Sequence, residues 1–232
     1  MRAVALIPAA GLGRRMGREK PKAHLLLAGV PLLTHTLKKF EACSLIDETL
    51  PLVPEGTIPF WNEEIRRARL KRVSRVLVGG PERQDSVYRG LKALGAVDYV
   101  MIHDGARPFI PVELIEGILR ETFQWKAVVA GLPAAETMKE VTAEGAVRKT
   151  VDRSQLWMIQ TPQSFSYDLI LRAHERAREE NFLGTDDSSL VERLGIPVRV
   201  VEGSRFNMKI TNPDDLILGE ALLKYLKDSA ED

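Results

Sequence analysis

The stretch AVALIPAAGLGRRMG, residues 3–17, joins a short apolar run to a loop of small residues and arginines. The apolar half, residues 3–8, predicts a buried β-strand. Gly11, Gly13 and Gly17 give the loop a GxGxxxG spacing, which is neither the GxGxxG of dinucleotide-binding folds nor a P-loop with its Gly-Lys-Ser/Thr. A strand followed by such a loop predicts an α/β protein whose ligand site begins where the strand ends.

Strand-like apolar runs alternate with stretches of helical spacing along the rest of the chain. Further strands are predicted at 73–78, 99–103 and 127–132, and helices at 31–43, 84–94, 112–124 and from 212 to 226. This alternation predicts βαβ units in a Rossmann-like, mostly parallel sheet with helices on both faces. Residues 55–64 contain glycine and proline and receive no assignment.

Residues 136–152 carry β-type runs on either side of Ala143-Glu144-Gly145, which predicts a β-hairpin. An isolated two-stranded hairpin is only marginally stable in water. We therefore expect this one to pack against another surface, and a second subunit is one candidate. Because no repeat or linker interrupts the chain, we predict a single domain over residues 1–232 with a projecting arm at 136–152.

The composition excludes several classes of protein. The chain has 232 residues, with 33 basic and 32 acidic side chains and a net charge of +1, which argues against a nucleic-acid-binding surface. A single cysteine excludes a disulfide scaffold. No apolar run approaches the roughly 20 residues of a membrane helix, so no membrane association is expected. These features predict a cytoplasmic protein.

The glycine loop has the chemistry of a polyphosphate site. Small residues let backbone N–H groups approach an anion closely. Arg14 and Arg15 lie in the loop, and Lys22 follows directly after Pro21. Oriented donors combined with fixed positive charge are what phosphate binding requires. The structural alternative is a glycine-rich turn beside arginines that only face solvent.

The loop resembles the activating motif of sugar-phosphate nucleotidyltransferases, and nearly the whole chain resembles one branch, the methylerythritol-phosphate cytidylyltransferase family of the non-mevalonate isoprenoid pathway. Seven further motifs occur in the order typical of that family. They are GGPERQDSVYRGL (79–91), HDGARP (103–108), ETMK (136–139), TVDR (150–153), LWMIQTPQSF (156–165), TDDSSLVE (185–192) and NMKIT (207–211).

The resemblance implies in-line attack of a phosphate monoester on the α-phosphorus of CTP, with pyrophosphate leaving. The nucleophile is already anionic because the second pKa of a phosphate monoester is about 6, so no general base is needed. Positioning and electrostatic stabilisation should therefore dominate. The motifs contain Arg and Lys without a Ser-His-Asp or Cys-His arrangement beside them.

The resemblance also implies roles for individual residues. Arg15 and Lys22 would stabilise the transition state. The nucleotide and its phosphates would contact Ala9, Ala10, Gly11, Gly13, Gly80, Ser86, Asp104 and Gly105. Methylerythritol phosphate would be positioned by Thr137, Arg153, Thr161, Thr185 and Lys209. Mg²⁺ is the implied cofactor, near Asp104 and held mainly through nucleotide phosphates. In the family the arm reaches the neighbouring subunit, which implies a homodimer with shared active sites.

Two positions depart from the family pattern. Pro81 offers no N–H where relatives often have an acidic residue or another donor, and Gly105 stands where many have alanine. Two other functions also stay open: cytidylyl transfer to ribitol phosphate, and nucleotide binding by a regulatory subunit without catalysis.

Several of the named residues also have a purely structural alternative. These alternatives are a turn at Asp104, an Arg107 pair with Asp104 or Asp85, a strand-edge lysine at Lys209, an Arg153 pair with Asp152 or Glu136, and a helix cap at Asp186 and Asp187.

Overall fold

A computed structural model describes residues 1–11 and 21–231 of the chain. Its central sheet has seven strands in the order β11-β7-β10-β6-β1-β4-β5 among the described residues. These strands are β1 Ala3–Pro8, β4 Glu48–Val53, β5 Leu77–Val78, β6 Tyr99–Ile102, β7 Ala127–Pro133, β10 Trp157–Ser166 and β11 Arg199–Glu202. Strand β10 runs antiparallel to both of its neighbours, whereas the other pairings in the sheet are parallel.

Helices cover both faces of this sheet. They are α1 Leu32–Ala42, α2 Ile58–Arg67, α3 Arg83–Ala93, α4 Val112–Trp125, α5 Tyr167–Glu179, α6 Asp187–Glu192 and α7 Pro213–Glu231. Short 3₁₀ turns span Lys22–His24 and Glu55–Thr57. Two small hairpins pair β2 Leu26–Leu27 with β3 Val30–Pro31 and β8 Met138–Val141 with β9 Val147–Val151.

Strand β1 shows why the sheet needs two layers of helices. Its alternate residues point to opposite faces. Ala5 and Ile7 pack in the core under α1, α2 and α4, whereas Val4 and Leu6 pack in the core under α3, α5 and α6. All four are fully buried. A strand that is apolar on both faces is stable only when both are covered, which confirms the predicted Rossmann-like, mostly parallel architecture.

Most predicted elements are confirmed, and one strand is wrong in length. The prediction of a strand at 73–78 is reduced to Leu77–Val78 with a single bridge between Val73 and Thr49. Between these two points, the Ser74 hydroxyl donates a hydrogen bond to the Glu48 carboxylate, and the Arg75 guanidinium donates one to the last carbonyl of α3. Side-chain hydrogen bonds therefore take the place of backbone pairing between strands. The unassigned region 55–64 forms a 3₁₀ turn and most of α2, whose second residue is Pro59. Proline in a first helical turn is a start signal.

The predicted hairpin is confirmed as β8 and β9, which pair only with each other in the described structure. Val141 and Val147 pair across it, and their exposed fractions are 54% and 61%. Among the described residues, no helix combines the length and the apolar character needed to cross a bilayer. The predicted cytoplasmic location stays a prediction.

Candidate functional site

A cleft opens where four parallel strands end. Ala9 N donates to Leu52 O at 2.8 Å, Gly79 N donates to Val53 O at 2.8 Å, and His103 N donates to Leu6 O at 3.0 Å, so the loops after β1, β5 and β6 stay side by side. The cleft holds a cavity of about 500 Å³. Nine of the predicted site residues line it: Ala9, Ala10, Gly11, Lys22, Gly80, Ser86, Asp104, Gly105 and Lys209.

Two glycines let the loops come this close. A Cβ atom on Gly79 would lie 2.4 Å from the Ala10 Cβ, and one on Gly80 would lie 2.4 Å from the Asp85 Cβ. Gly80 N donates to the Ser86 Oγ at 2.9 Å, and the Ser86 hydroxyl in turn donates to Glu82 O at 3.1 Å. Ser86 therefore shapes the start of α3 as well as lining the cleft.

The electrostatic centre of the cleft is the Asp104 carboxylate. Its Oδ1 accepts from Arg83 Nε at 2.8 Å, and its Oδ2 lies 2.6 Å from Lys209 Nζ. Arg107 Nε is a third cationic group, 3.9 Å from Oδ2. The Arg83 guanidinium also donates from Nη1 to Asp187 Oδ2 at 2.7 Å, and His174 Nε2 lies 3.3 Å from Asp187 Oδ1.

The protonation states follow from these contacts. Burial alone would raise the pKa of the Asp104 carboxyl, but the charges of Arg83 and Lys209 outweigh it and hold that pKa far below its usual range. Burial opposes the charge of Arg83 as well, yet Asp187 and Asp104 raise its pKa. Asp187 follows the same pattern, with burial opposed by Arg83 and His174 and a lowered pKa as the result. All three groups are charged at neutral pH.

Lys209 is held in the cleft by its own backbone segment. Arg107 Nη1 donates to Asn207 O at 2.8 Å, and Ile210 N donates to Ala106 O at 2.9 Å. Residue 209 lies outside every strand, and Lys209 reaches a buried carboxylate, so it is not the strand-edge lysine of the structural alternative. Arg107 matches its structural alternative in part, because its Nε lies 3.9 Å from Asp104 Oδ2, whereas Asp85 pairs with Arg178.

Thr161 supports Asp104 from behind. The Asp104 N–H donates to Thr161 Oγ1 at 3.0 Å, and this hydroxyl lies 3.1 Å from His103 Nδ1. His103 Nε2 lies 3.1 Å from Arg107 O, which can only accept, so the ring proton sits on Nε2 and Thr161 donates to Nδ1. Thr161 is 5% exposed, and its hydroxyl both accepts and donates a hydrogen bond within the protein.

The other predicted acceptor residues lie apart from the main cleft. Thr185 lines a second cavity of about 210 Å³, which shares Arg83 with the first. Thr137 and Arg153 are exposed at the base of the β8–β9 hairpin and line neither cavity. In the described part of the chain Arg153 forms no ion pair, so the alternative role for Arg153, an ion pair with Asp152 or Glu136, is not observed. Gly13 and Arg15 lie outside the described residues.

Two residues that shape the cleft were not predicted from the sequence, Arg83 and Gln163. Arg83 stands in GGPERQDS among polar residues that are typical of a helix start, although an arginine three residues after the Gly79-Gly80 pair was an available signal. Gln163 Oε1 accepts from the N–H groups of Asp187 and Ser188 at 3.0 and 3.1 Å. Asp186 caps α6 by accepting from Ser189 N, which agrees with the predicted helix cap.

The described residues do not form a resident metal site. They contain no cluster of three or more His, Cys, Asp or Glu side chains arranged to hold an ion. Both oxygens of Asp104 already contact a cation, and Asp187 is bonded to Arg83 and His174. A metal role for Asp104 stays a prediction.

Fold and cleft together define an enzyme of the nucleotidyltransferase class: an open, mostly parallel sheet, a small-residue loop after its first strand, and lysines around a cavity at the strand ends. Residues 3–225 match the 2-C-methyl-D-erythritol 4-phosphate cytidylyltransferase family. The chain belongs to this family.

Individual relatives are similar to this chain over nearly its full length. The 2-C-methyl-D-erythritol 4-phosphate cytidylyltransferase of Geotalea uraniireducens is 46% identical over 228 residues, which cover 97% of each chain. That of Syntrophus aciditrophicus is 45% identical over 223 residues, which cover 95% of each. The crystal structure of the Thermus thermophilus enzyme of the same name is 36% identical with a TM-score of 0.80, covering 97% of this chain and 100% of that one.

His103 provides a test of the buried hydrogen-bond chain. Burial lowers its pKa to about 4, against about 6.5 in an unfolded chain. Between these values the unfolded state binds a proton that the native state does not, so stability falls as the pH drops. From pH 7 to 4.5, the free energy of unfolding in urea should fall by about 2–3 kcal/mol more for the wild type than for His103→Gln. Parallel pH profiles would contradict this arrangement.

Proposed function

We propose that this chain transfers the CMP part of CTP to 2-C-methyl-D-erythritol 4-phosphate and releases pyrophosphate, a step in isoprenoid precursor biosynthesis. An oxygen of the acceptor phosphate forms a bond to the α-phosphorus, and the bond from that phosphorus to the bridging oxygen of the β-phosphate breaks. The observation that carries the proposal is the cavity at the strand ends, which Lys22 and Lys209 line together in a chain of this family.

The residues of the cleft supply charge and position. Lys22, with Arg15 of the same loop region, would neutralise the α- and β-phosphates as negative charge develops on the leaving pyrophosphate. The backbone of Ala9, Ala10 and Gly11 would cradle the nucleotide, with Gly13, Gly80, Ser86 and Gly105 around it. No base is required, because the attacking oxygen is already ionised at neutral pH.

The acceptor phosphate would bind at Lys209, which lines the larger cavity and whose ammonium group contacts the buried Asp104 carboxylate. Thr185 borders the adjoining smaller cavity, where polyol hydroxyls would find a hydrogen-bonding partner. Thr161 would act indirectly, by holding the Asp104 backbone. Mg²⁺ would enter bound to CTP, and the chemistry it supplies is neutralisation of phosphate charge.

A homodimer would complete the site. The hairpin and the neighbouring end of β10 expose several large apolar side chains, which are Met138, Val141, Val147, Trp157, Met158 and Ile159. A second copy that covers this surface would bury them. Thr137 and Arg153 stand at the base of the same hairpin, outside both cavities of their own chain. The proposed role of these two residues is to position the acceptor in the partner's cleft.

The reaction is tested by pyrophosphate release with CTP, UTP, ATP and GTP against methylerythritol phosphate and ribitol 5-phosphate. Product should form with CTP and methylerythritol phosphate. Preference for ribitol phosphate would change the assigned acceptor, and CTP binding without pyrophosphate release from either acceptor would leave a non-catalytic nucleotide-binding protein.

Lys22→Ala should lower kcat by about 100-fold or more, because a charge that stabilises the transition state is worth roughly 3 kcal/mol. Its thermal midpoint should change little, since Lys22 is partly exposed. Lys92→Ala is the matched control: Lys92 is a half-exposed lysine on α3 that pairs with Glu175. Near-normal turnover by Lys22→Ala would refute its assigned role.

Mixing two inactive variants tests the shared site. In a dimer of one Lys22→Ala subunit and one Arg153→Ala subunit, one cleft receives both changes and the other neither. A 1:1 mixture with free subunit exchange should therefore recover roughly a quarter of wild-type activity. If Arg153 serves its own chain, every cleft is defective and mixing restores nothing.

A further inference from the structure

We propose that Arg83 is a positioning residue for the acceptor phosphate: it neutralises Asp104 permanently, so that Lys209 is released from that carboxylate to bind substrate. The inference rests on the proposed function and concerns a residue to which the family resemblance assigned no role. Its basis is the way in which two cations share one buried carboxylate in the cleft.

Arg83 is the first residue of α3, and it connects the ends of two other elements. Its Nε donates to Asp104 Oδ1 at 2.8 Å, just after β6, and its Nη1 donates to Asp187 Oδ2 at 2.7 Å, at the start of α6. The exposed fractions of these two carboxylate side chains are 10% and 1%. A planar guanidinium presents its donors in a fixed fork, so two carboxylates on separate elements set its orientation.

Lys209 holds the second oxygen of Asp104 by a different kind of contact. Its Nζ lies 2.6 Å from Oδ2, but the Lys209 side chain is 37% exposed and lines the open cavity. An ammonium group on a flexible stem can turn from a carboxylate to a nearby phosphate. Arg83 has no comparable freedom, because two buried carboxylates bind it at once.

The cost of moving Lys209 depends on what it leaves behind. With Arg83 in place, Asp104 keeps a hydrogen-bonded cation at Oδ1 after Lys209 departs. Without Arg83, the carboxylate depends on Lys209 for its charge compensation, because Arg107 Nε is 3.9 Å away. A buried charge that loses its partner is strongly disfavoured. Lys209 would then stay on Asp104, and the acceptor phosphate would lose its cation.

The position of Arg83 relative to the cavities fits this role. It lines both the larger cavity, which contains Lys22, and the smaller one, which contains Thr185. The proposed nucleotide and acceptor regions therefore meet at this side chain. A change at Arg83 should weaken acceptor binding more than CTP binding, because Asp104 is shared with Lys209, the lysine at which the acceptor phosphate is proposed to bind.

The test is a double-mutant cycle between Arg83→Gln and Asp104→Asn, read as binding rather than turnover. The enzyme is loaded with α,β-methylene-CTP, which cannot react, and the Kd of methylerythritol phosphate is measured by calorimetry. In the wild-type background, Arg83→Gln should raise this Kd at least tenfold, while the Kd of the nucleotide analogue changes less than threefold. In the Asp104→Asn background, Arg83→Gln should change the acceptor Kd less than threefold, because no carboxylate retains Lys209.

Controls separate this role from a structural one. Arg176→Gln removes an exposed arginine of α5 that pairs with Glu180 just beyond the helix, and it should leave both Kd values unchanged. If Arg83→Gln does not fold, Arg83→Lys replaces it in the cycle, with a smaller increase in acceptor Kd that Asp104→Asn again abolishes. Equal effects of the Arg83 substitution in both backgrounds would overturn the proposal.

The same measurements keep the two proposals apart. If the wild-type enzyme neither binds methylerythritol phosphate nor uses it, the proposed function fails. If the wild type binds and uses this acceptor but the cycle shows no coupling, only the role of Arg83 fails.

Discussion

The Asp104 carboxylate is the constraint on which the cleft depends. A buried carboxylate is costly unless cations and donors compensate it. Arg83 from α3 and Lys209 from the segment before α7 meet at its two oxygens. One negative charge thus fixes the position of two positive side chains before any phosphate arrives. In the proposed reaction between two anions, this arrangement would supply positive charge before the phosphates approach each other.

Strand β10 holds the loops that carry these charges. Thr161 accepts from the Asp104 N–H, Gln163 accepts at the start of α6, and Asn207 Nδ2 donates to Thr161 O at 2.7 Å. The antiparallel strand in an otherwise parallel sheet therefore presents two polar side chains and one backbone carbonyl to three separate connections. These groups are nearly fully buried, so each hydrogen bond that is lost leaves an unsatisfied buried group.

Local patterns predicted the layers of the fold, and the family resemblance implied most of the residues of the cleft. Ala3–Pro8 is apolar on both faces, and the glycine loops follow parallel strands of one sheet, so their meeting at one edge follows from topology. The role of Arg83, and the support that Thr161 gives to Asp104, could not be predicted from local patterns. Their roles depend on contacts with Asp104 across 21 and 57 positions of the chain, and no spacing rule encodes those contacts. Strand β5 is short for a similar reason: side chains of Ser74 and Arg75 form hydrogen bonds to residues far away in the chain in place of backbone pairing.

The most direct measurement is a crystal structure of the enzyme with α,β-methylene-CTP and methylerythritol phosphate. The account predicts that the Lys209 ammonium lies within about 3.5 Å of an acceptor phosphate oxygen, the usual limit for such a contact. Arg83 should still be bonded to Asp104. A structure in which Lys209 stays on Asp104, while other groups bind the acceptor phosphate, would contradict the account.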